Sequence, residues 1–470
     1  MRNASRATRS ATVLAIIIAV MVFSSCSTNG NSSVDEEKEY SEMLFTMGEM
    51  ATVELEIPEN TWKKITTKAS DKNYYECSVI INGERLEPVA VRTKGASSLD
   101  DVSIMKSDRY SLTLKLNKYE KGLKYHGLSK LLLNNNIWDA TQMKDAIVYD
   151  MAHYIGLPAP LTNYAQIKLN GKLFGYYLMV EPVDKHFAQR NWPDEVSNIY
   201  KACHELNYTG DDMNDYAEIA NYAKVKGGEA SMQRVVEALK TVSEGKEMEE
   251  HVDFESLAKY MALQSIVVNF DCLTGHSPQN YYLREADGKI SLIPWDYNLA
   301  WGGYPEDEEM EGEMLLEQSP EAGLPTDAGK RTPEEVSHVV NFPIDTPFLD
   351  DQSKRTFFMN LLANEQFKAL YYHYLDVLCN QYILGGEFAK TLSAINGEIG
   401  DVAGTEANAF YSNEQFHKAQ KTFRLVLERR AASVLGQMKG EIPATWESQK
   451  AQPQLLINVN DINLQDLGGI

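Results

Sequence analysis

The hydrophobic periodicity of the chain changes at about residue 230, and this change constrains the fold more than any other feature. Before that point, short alternating runs predict strands, with Asn82-Gly83 and Asn170-Gly171 as hairpin turns. The predicted strands are 50–57, 76–82, 87–93, 110–116, 164–169 and 174–180. Helical spacing occurs at 141–155 and then dominates, at 231–241, 253–268, 353–379 and 413–438. The pattern predicts an α+β fold with a β-rich N-terminal half and a mainly helical C-terminal half.

The charge balance argues against one broad class of function. The 470 residues include 45 Lys+Arg and 67 Asp+Glu, which gives a formal net charge of −22. Nucleic acids bind to clustered cations, so we do not expect this chain to bind DNA or RNA. Binding of a single nucleotide stays open, because it needs only a few local cations or a metal ion. No repeat of 20–50 residues is visible, which argues against solenoids and propellers.

Residues 1–25 are typical of a bacterial lipoprotein signal peptide. A basic start precedes the apolar run Ala11–Phe23, which is too short to span a bilayer as a stable helix. Phe23-Ser24-Ser25-Cys26 has small residues before a cysteine, as in a lipobox, so Cys26 is predicted to carry a lipid. An ordinary signal peptide is the alternative. We expect a location in the cell envelope outside the cytoplasm, with the membrane reached only through this lipid and residues 26–45 as a flexible tether.

Two other features of the sequence leave alternatives open. Cys77, Cys203, Cys272 and Cys379 are widely separated and lack zinc-like spacing, so they could be free or form one or two disulfides. The acidic run 306–317 is predicted to be a solvated loop, with a weak calcium site or a regulatory lid as alternatives.

A hairpin at 280–294, inserted in the helical half, could carry chemistry. Folding about Asp287-Gly288 puts Asn280 opposite Trp295, so Asp296 lies at the same end. Asp271 follows the long apolar helix that precedes the hairpin. Two oxygen ligands and a nearby free carboxylate suit Mg²⁺-dependent phosphoryl transfer. The alternative is that these residues only form turns and caps.

A series of motifs lies along the chain in a fixed order. The last runs from Asn269-Phe-Asp271 through Asn280-Tyr-Tyr-Leu to Ile293-Pro-Trp-Asp296-Tyr-Asn298. An earlier one is Val91-Arg-Thr-Lys94-Gly-Ala96-Ser-Ser98, and further segments lie at 131–139, 170–181 and 198–201. Together they resemble the CotH family of atypical secreted protein kinases, although Ala96 stands where the family has asparagine. The resemblance implies a kinase-like domain at 46–440, followed by a C-terminal tail at 441–470.

The resemblance also implies roles for individual residues. Asp271 would be the catalytic carboxylate, while Asn280 and Asp296 would hold Mg²⁺ or Mn²⁺. Asn298 stands where the family often has a second aspartate, and an amide can still bind a metal. The segment 177–183 would form the wall that meets the adenine of ATP, and Glu181 would pair a lysine or simply end a strand. The candidates for the cation that binds the phosphates are Lys94, Arg109 and Lys115.

Two functions of different classes follow. The first is a secreted kinase that transfers the γ-phosphoryl group of ATP to Ser or Thr of surface or secreted proteins, with a divalent metal. The second is a cell-surface binding or adhesion protein that keeps the fold and catalyses little. Retention of Asp271, Asn280 and Asp296 favours the kinase, whereas an ATP-poor location favours the binding protein. The predicted partner is a surface or secreted protein that serves as the substrate of the kinase.

Overall fold

A closed β-barrel forms the N-terminal half of the chain. The computed structural model describes residues 39–202, 204–306, 331–349 and 355–470, and within them seven strands close in the order β1-β2-β3-β4-β5-β7-β6. They are β1 (Ala51–Glu56), β2 (Tyr75–Ile81), β3 (Glu84–Thr93), β4 (Leu112–Lys115), β5 (Lys130–Asn134), β6 (Thr162–Leu169) and β7 (Lys172–Val180). Strands β1 and β6 pair in parallel, with Val53 opposite Ile167, while the other neighbours are antiparallel. Both of these residues are buried in the barrel core.

A second sheet contains the predicted hairpin. In the described part of the chain its four strands are antiparallel, in the order β11-β10-β8-β9. They are β8 (Asn198–Ala202), β9 (Ala223–Val225), β10 (Tyr281–Ala286) and β11 (Lys289–Pro294). Tyr281 lies opposite Pro294, so the predicted turn at Asp287-Gly288 and its register are confirmed. Asn280 and Asp296 therefore lie just beyond the paired ends of the two strands.

Most helices lie in the second half of the chain, which confirms the predicted α+β class. Those near the barrel strands in sequence are α1 (Tyr40–Leu44), α2 (Glu59–Thr67), α3 (Ser97–Ile104), α4 (Lys144–Tyr154) and α5 (Lys185–Asn191). The later ones are α6 (Ala217–Ala220), α7 (Glu229–Glu244), α8 (Met248–His251), α9 (Phe254–Val267), α10 (Pro333–Asn341), α11 (Thr356–Ala363), α12 (Glu365–Asp376), α13 (Glu387–Ile399), α14 (Asn413–Met438) and α15 (Trp446–Ala451). Helices α4, α7, α9 and α14 match predicted helices.

The predicted helical region 353–379 is confirmed in its described part, but it is not one continuous helix. The chain forms α11 and α12 there, and the π-helical segment Val377–Ile383 follows directly. Asn364 separates the two helices, because its extended backbone ends α11 and its side chain caps α12. The cap accepts hydrogen bonds from the backbone N–H groups of Gln366 and Phe367, which have no partner inside the helix.

A buried arginine holds the helical half together around α9. Arg430 of α14 is fully buried and donates hydrogen bonds to the carbonyl oxygens of Ser265, Val340 and Phe342. Burial lowers the pKa of Arg430 to about 10. Because its three acceptors lie on or next to α9 and α10, these bonds fix α14 against both helices. They also fix the end of α9, from which the loop carrying Asp271 begins.

The folded part of the chain starts earlier than predicted. Residues 26–45 were expected to form a flexible tether, but Tyr40–Leu44 is helix α1, whose Tyr40 is 5% exposed. The Tyr40 hydroxyl donates a hydrogen bond to Glu181 at 2.5 Å, which docks the helix beside the end of β7. At the other end, the segment 441–470 packs on the same compact unit, Lys38–Ile470.

Several predicted features lie partly or wholly outside the described residues. The signal peptide, Cys26, Cys203 and residues 307–317 of the acidic run are among them. Cys77, Cys272 and Cys379 are buried and free. Among the described residues, no helix combines the length and apolar character needed to cross a membrane.

Candidate active site

A cavity of about 450 Å³ is lined by residues from both halves of the chain. From the barrel half come the loop after β3 (94–98) and the end of β5 with the residues that follow it (134–138). From the helical half come parts of the loop after α9 and the residues after β11. The structure thereby brings together five residues that the sequence predicted for the site, Lys94, Asp271, Asn280, Asp296 and Asn298.

Asp271 reaches the cavity through a strained turn at the end of α9. Val268 adopts a left-handed backbone (φ +46°), which is unfavourable for a β-branched residue. The turn is held by Trp301, whose backbone N–H donates to the carbonyl oxygens of Val267 and Val268 at 3.0 and 3.2 Å. The turn takes the chain out of α9 and towards Asp271, so strain is stored next to the candidate catalytic residue.

The Asp271 carboxylate is almost buried and its orientation is fixed. Gln279 donates to Oδ1 at 2.5 Å, and the amide of Asn280 donates to Oδ2 at 2.8 Å. Burial raises the pKa of Asp271 to about 7; the charge of Asp296 adds to this, while the two amide hydrogen bonds oppose it. A carboxyl group with a pKa near neutrality, held in one orientation, is suited to accept a proton at physiological pH.

Asn280 and Asp296 provide oxygen atoms at one end of the hairpin. Both have a left-handed backbone, with φ of +60° and +62°, which turns the chain away from the strand direction at the cavity. Carboxylate and amide oxygens are ligands that Mg²⁺ and Mn²⁺ prefer. Asn298 also lines the cavity. One carboxylate and two amide side chains fit Mg²⁺, which usually takes one or two carboxylates and completes its shell with water and phosphate oxygens. Within the described chain no three His, Cys, Asp or Glu residues cluster as a metal site.

A chain of hydrogen bonds connects Lys94 to the loop that carries Asp296. The Lys94 ammonium donates to Asn134 at 2.5 Å, Asn134 donates to Asp145 of α4 at 3.3 Å, and Asp145 accepts from the backbone N–H of Tyr297 at 2.6 Å. Burial lowers the pKa of Lys94 and, together with the charge of Asp296, raises that of Asp145 to about 7. Hydrogen bonds thus connect Lys94 of the barrel half, helix α4 and the loop that carries Asp296.

Several residues of this site were not predicted from the sequence. Lys72 and Lys201 line the cavity and add two cations, and Asn134 and Asp145 connect Lys94 to the hairpin loop. Lys201 and Asn134 lie in segments that carried the family resemblance, so those segments contained a usable signal. Asp145 lay inside a helical pattern, where a polar residue is expected to face solvent, and nothing in the sequence marked it as buried.

Arg109 does not line the cavity, so its prediction as a phosphate ligand is wrong. Its side chain is buried, forms an ion pair with Glu406, and donates to the carbonyl oxygen of Tyr176 at 2.7 Å. Gly175 permits this close approach, because a Cβ there would lie 2.9 Å from the Arg109 guanidinium. The positive charge of Arg109 is therefore paired with the buried carboxylate of Glu406 inside the protein.

Two further predictions for the nucleotide site are also corrected, and the alternatives for Glu181 are decided. Lys115 ends β4 and does not line the cavity. Glu181 directly follows the last residue of β7, as the second alternative had it, and its buried carboxylate pairs with Arg190 at 2.6 Å and not with a lysine. The segment 177–183, expected to meet adenine, belongs to β7 and its end; Tyr177 there is buried and donates to the carbonyl oxygen of Tyr110.

The β-barrel and the helical half together form one cavity that is lined by a lysine, two aspartates and several amide side chains. A comparison with known protein families covers most of the segments that form this cavity. The family model described as CotH kinase protein matches residues 91–434, a range that contains all five predicted residues of the cavity. The chain belongs to the CotH kinase family.

The individual proteins that resemble this chain have low sequence identity to it. Inner spore coat protein H of Bacillus subtilis (strain 168) is 24% identical over 203 residues, which are 41% of this chain and 55% of the relative. The chain thus spans about half the length of this curated relative. A solved structure of HipA with HipB and operator DNA, from Shewanella oneidensis MR-1, has 13% identity and a TM-score of 0.32, covering 81% of this chain and 80% of that one.

Proposed function

We propose that this protein is an ATP-dependent protein kinase that phosphorylates Ser or Thr of surface or secreted proteins, with Mg²⁺ or Mn²⁺ as cofactor. The observation that carries the proposal is the convergence of Lys94, Asp271, Asn280 and Asp296 on one cavity, although they come from separate parts of the chain. Membership of the CotH kinase family supports the same activity.

Each side chain has a distinct part in the proposed transfer. Asp296 and Asn280, with Asn298 beside them, would hold a divalent ion that offsets the negative charge of the phosphates. Lys94 supplies a further positive charge to the phosphate oxygens. Asp271 orients the acceptor hydroxyl and takes its proton. The acceptor oxygen then forms a bond to the γ-phosphorus while the bond to the β–γ bridging oxygen breaks, and ADP leaves.

The orientation of these groups would supply much of the catalysis. Phosphoryl transfer depends mainly on positioning and on electrostatic stabilisation of the transition state. Asp271 is held by two amides, and Lys94 is held by Asn134, so neither has to reorganise during the reaction. A misplaced group costs rate even when binding is retained, and this distinction allows the two contributions to be measured separately.

The protein is proposed to act outside the cytoplasm, anchored by a lipid on Cys26. The lipobox-like residues 23–26 support the anchor, and the spore-coat name of the relative supports a surface location. Mass spectrometry of the mature N-terminus tests this: we expect a lipidated Cys26 as the first residue. An unmodified chain that starts elsewhere would contradict the anchor without affecting the kinase proposal.

Transfer of radiolabel from γ-labelled ATP tests the activity. We expect the purified protein to label itself or a serine-rich acceptor when Mg²⁺ or Mn²⁺ is present, and not after chelation of the metal. Phosphoamino-acid analysis should recover phosphoserine or phosphothreonine. If no acceptor is labelled although the protein is folded, the kinase proposal fails and the alternative, a surface binding protein on the same fold, takes its place.

A further inference from the structure

Two buried amide side chains join the loop that carries Asp271 to the loop that carries Asp296. They belong to Asn269 and Gln264, which are 0 and 1% exposed and do not line the cavity. Gln264 lies in the last turn of α9, and Asn269 lies in the loop that follows this helix. We name these two residues the amide bridge.

Asn269 contacts both loops through its side chain. Its amide oxygen accepts a hydrogen bond from the backbone N–H of Asp271 at 3.1 Å, and its amide nitrogen donates to the backbone carbonyl oxygen of Asp296 at 3.3 Å. The first bond is a local turn that asparagine and aspartate form equally well. The second joins residues 27 positions apart and needs a donor, which an ionised aspartate lacks. The residue type at this position therefore matters for the contact between the loops.

Gln264 makes a parallel connection one residue further along each loop. Its amide nitrogen donates to the hydroxyl group of Tyr297, the residue after Asp296. Its amide oxygen accepts from the thiol of Cys272, the residue after Asp271, at 3.1 Å. Tyr297 and Cys272 are both fully buried. Because the two amides join the loops at consecutive positions, they fix the separation of the loops more firmly than a single contact would.

Each loop is also anchored to the rest of the protein. The backbone carbonyl oxygen of Asn269 accepts from the Thr274 hydroxyl at 3.0 Å. On the other loop, the backbone N–H of Asp296 donates to the hydroxyl of Tyr149 in α4 at 3.0 Å. The amide bridge therefore joins two segments that are each held in place, so its bonds determine the distance between them.

The charges of the two loops oppose this arrangement. The negative charge of Asp296 raises the pKa of Asp271, so the two carboxylates are close enough to repel each other. The amide bridge is neutral and holds the loops by hydrogen bonds alone. It therefore stabilises a spacing that the repulsion between the carboxylates would widen.

We propose that Asn269 and Gln264 are positioning residues, which set the separation between the carboxylate that orients the acceptor and the carboxylate that holds the metal. The inference rests on the proposed function, since it uses the parts assigned there to Asp271 and Asp296. In-line transfer requires the acceptor oxygen to meet the γ-phosphorus, and these two groups are held from different loops. A displacement of about 1 Å can cost about 10²-fold in rate, although no contact with a ligand is lost.

Three variants test the inference in assays of radiolabel transfer by the full chain. Asn269→Ala removes both bonds of this side chain, whereas Asn269→Asp keeps the acceptor for Asp271 and loses the donor to Asp296. Each should lower kcat by about 10- to 10²-fold. The KM for ATP should change by less than about threefold, because no contact with the nucleotide is removed. Tyr297→Phe deletes the hydroxyl that Gln264 binds and should lower kcat by about three- to tenfold, which keeps the test decisive if the Asn269 variants unfold.

Asn341→Ala is the matched control for a merely structural role. Asn341 is 1% exposed, and its amide also joins distant segments, since it donates to the carbonyl oxygen of Ile457 at 3.1 Å and accepts from the backbone N–H of Ile457 at 2.9 Å. It does not line the cavity. Its loss should lower the midpoint of thermal unfolding, as Asn269→Ala does, and leave kcat at the parental value. A structural role alone would make the two variants alike.

A double variant shows whether Asn269 acts through Asp271. Once Asp271→Asn has removed the carboxylate, the amide bridge has little left to position. Asn269→Ala should then lower the residual transfer by less than about threefold, whereas independent effects would multiply. The same factor in both backgrounds would mean that Asn269 does not act by positioning Asp271.

The outcomes separate the inference from the proposed function. If the parent transfers phosphate and the folded Asn269 and Tyr297 variants do so at the parental kcat, the inference is wrong and the kinase proposal stands. The inference is also wrong if Asn341→Ala loses as much kcat as Asn269→Ala. If the parent transfers phosphate to no acceptor, the proposed function itself fails, and the inference fails with it.

Discussion

The side-chain amide nitrogen of Asn280 donates hydrogen bonds to both the backbone carbonyl oxygen and the carboxylate of Asp271, at 2.9 and 2.8 Å. One amide group therefore positions the candidate catalytic residue through its nitrogen, while its oxygen remains a potential metal ligand. The strand end that carries Asn280 and the loop that carries Asp271 form one hydrogen-bonded unit, so the proposed metal ligand and the candidate catalytic residue are directly connected.

This dual role predicts the effect of Asn280→Asp. The new carboxylate keeps an oxygen for the metal, but it cannot donate to Asp271 and places a second negative charge beside it. We expect Mg·ADP binding to remain measurable while phosphoryl transfer falls by about 10²-fold, the cost of a misplaced catalytic group. Steady-state rates and calorimetry check the two effects separately. Full activity of this variant would show that Asp271 does not need the amide.

Asp296→Ala should abolish stabilisation of the protein by Mg·ATP. At a ligand concentration of about 100 times its dissociation constant, binding stabilises a folded protein by about 2.7 kcal/mol, and loss of a metal ligand should remove that gain. Thermal unfolding with and without Mg·ATP measures it. Asp211→Ala, at an exposed residue paired with Lys240, is the control and should respond like the parent. Equal stabilisation of Asp296→Ala and parent would exclude Asp296 as a ligand.

Arg109 is predicted to matter for stability and not for nucleotide binding. Arg109→Met leaves Glu406 buried without its cation, and breaking a buried ion pair in this way costs about 3–5 kcal/mol. Denaturant unfolding should show the loss, and the double variant with Glu406→Gln should recover part of it, because no unpaired charge is left. A folded Arg109→Met protein that no longer binds Mg·ADP would instead return Arg109 to the nucleotide site.

A partly buried carboxyl group outside the site predicts a pH dependence of stability. Glu398 of α13 accepts a hydrogen bond from the backbone N–H of Gly48 at 3.1 Å, and burial raises its pKa from 4.5 to about 7. Between these values the folded protein holds a proton that the unfolded chain releases. The contribution of Glu398 to stability is therefore complete below about pH 4.5 and is lost as the pH rises through about 7.

The variant Glu398→Gln isolates this effect, since it cannot ionise. The difference in free energy of unfolding between variant and parent should move in favour of the variant as the pH rises from 4.5 towards 8. Denaturant titrations at several pH values measure this difference. A constant difference across the range would mean that the pKa of Glu398 is not raised.

Local signals in the sequence predicted much of the hairpin and little of the barrel closure. The turn residues Asp287-Gly288 determine the register of their own hairpin, and with it the convergence of Asn280 and Asp296. The parallel pairing of β1 with β6 joins residues more than a hundred positions apart, such as Val53 and Ile167. No local pattern specifies such a contact, because it depends on the packing of everything between them.

In the candidate site, too, some residues could be predicted from local sequence signals, whereas the roles of others depend on tertiary contacts. Lys94 and Arg109 are both basic residues close to strands, and the sequence offered no means to tell a cavity lysine from a buried structural arginine. The difference arises from Glu406, which lies 297 positions from Arg109 and neutralises it in the folded chain. Asp145 was missed for a related reason, since its burial is produced by contacts with Asn134 and Tyr297 that form only in the tertiary structure.

The central claim is that Asp271 acts in phosphoryl transfer and not as a structural cap, and one comparison tests it most directly. Asp271→Asn should keep the fold and Mg·ADP binding, because asparagine is nearly the same size, while transfer of radiolabel from ATP falls by about 10²- to 10⁴-fold. Asp287→Asn, at an exposed turn residue with φ +49° that asparagine adopts readily, is the matched control and should transfer at the parental rate. Transfer by folded Asp271→Asn at the parental rate would contradict the account.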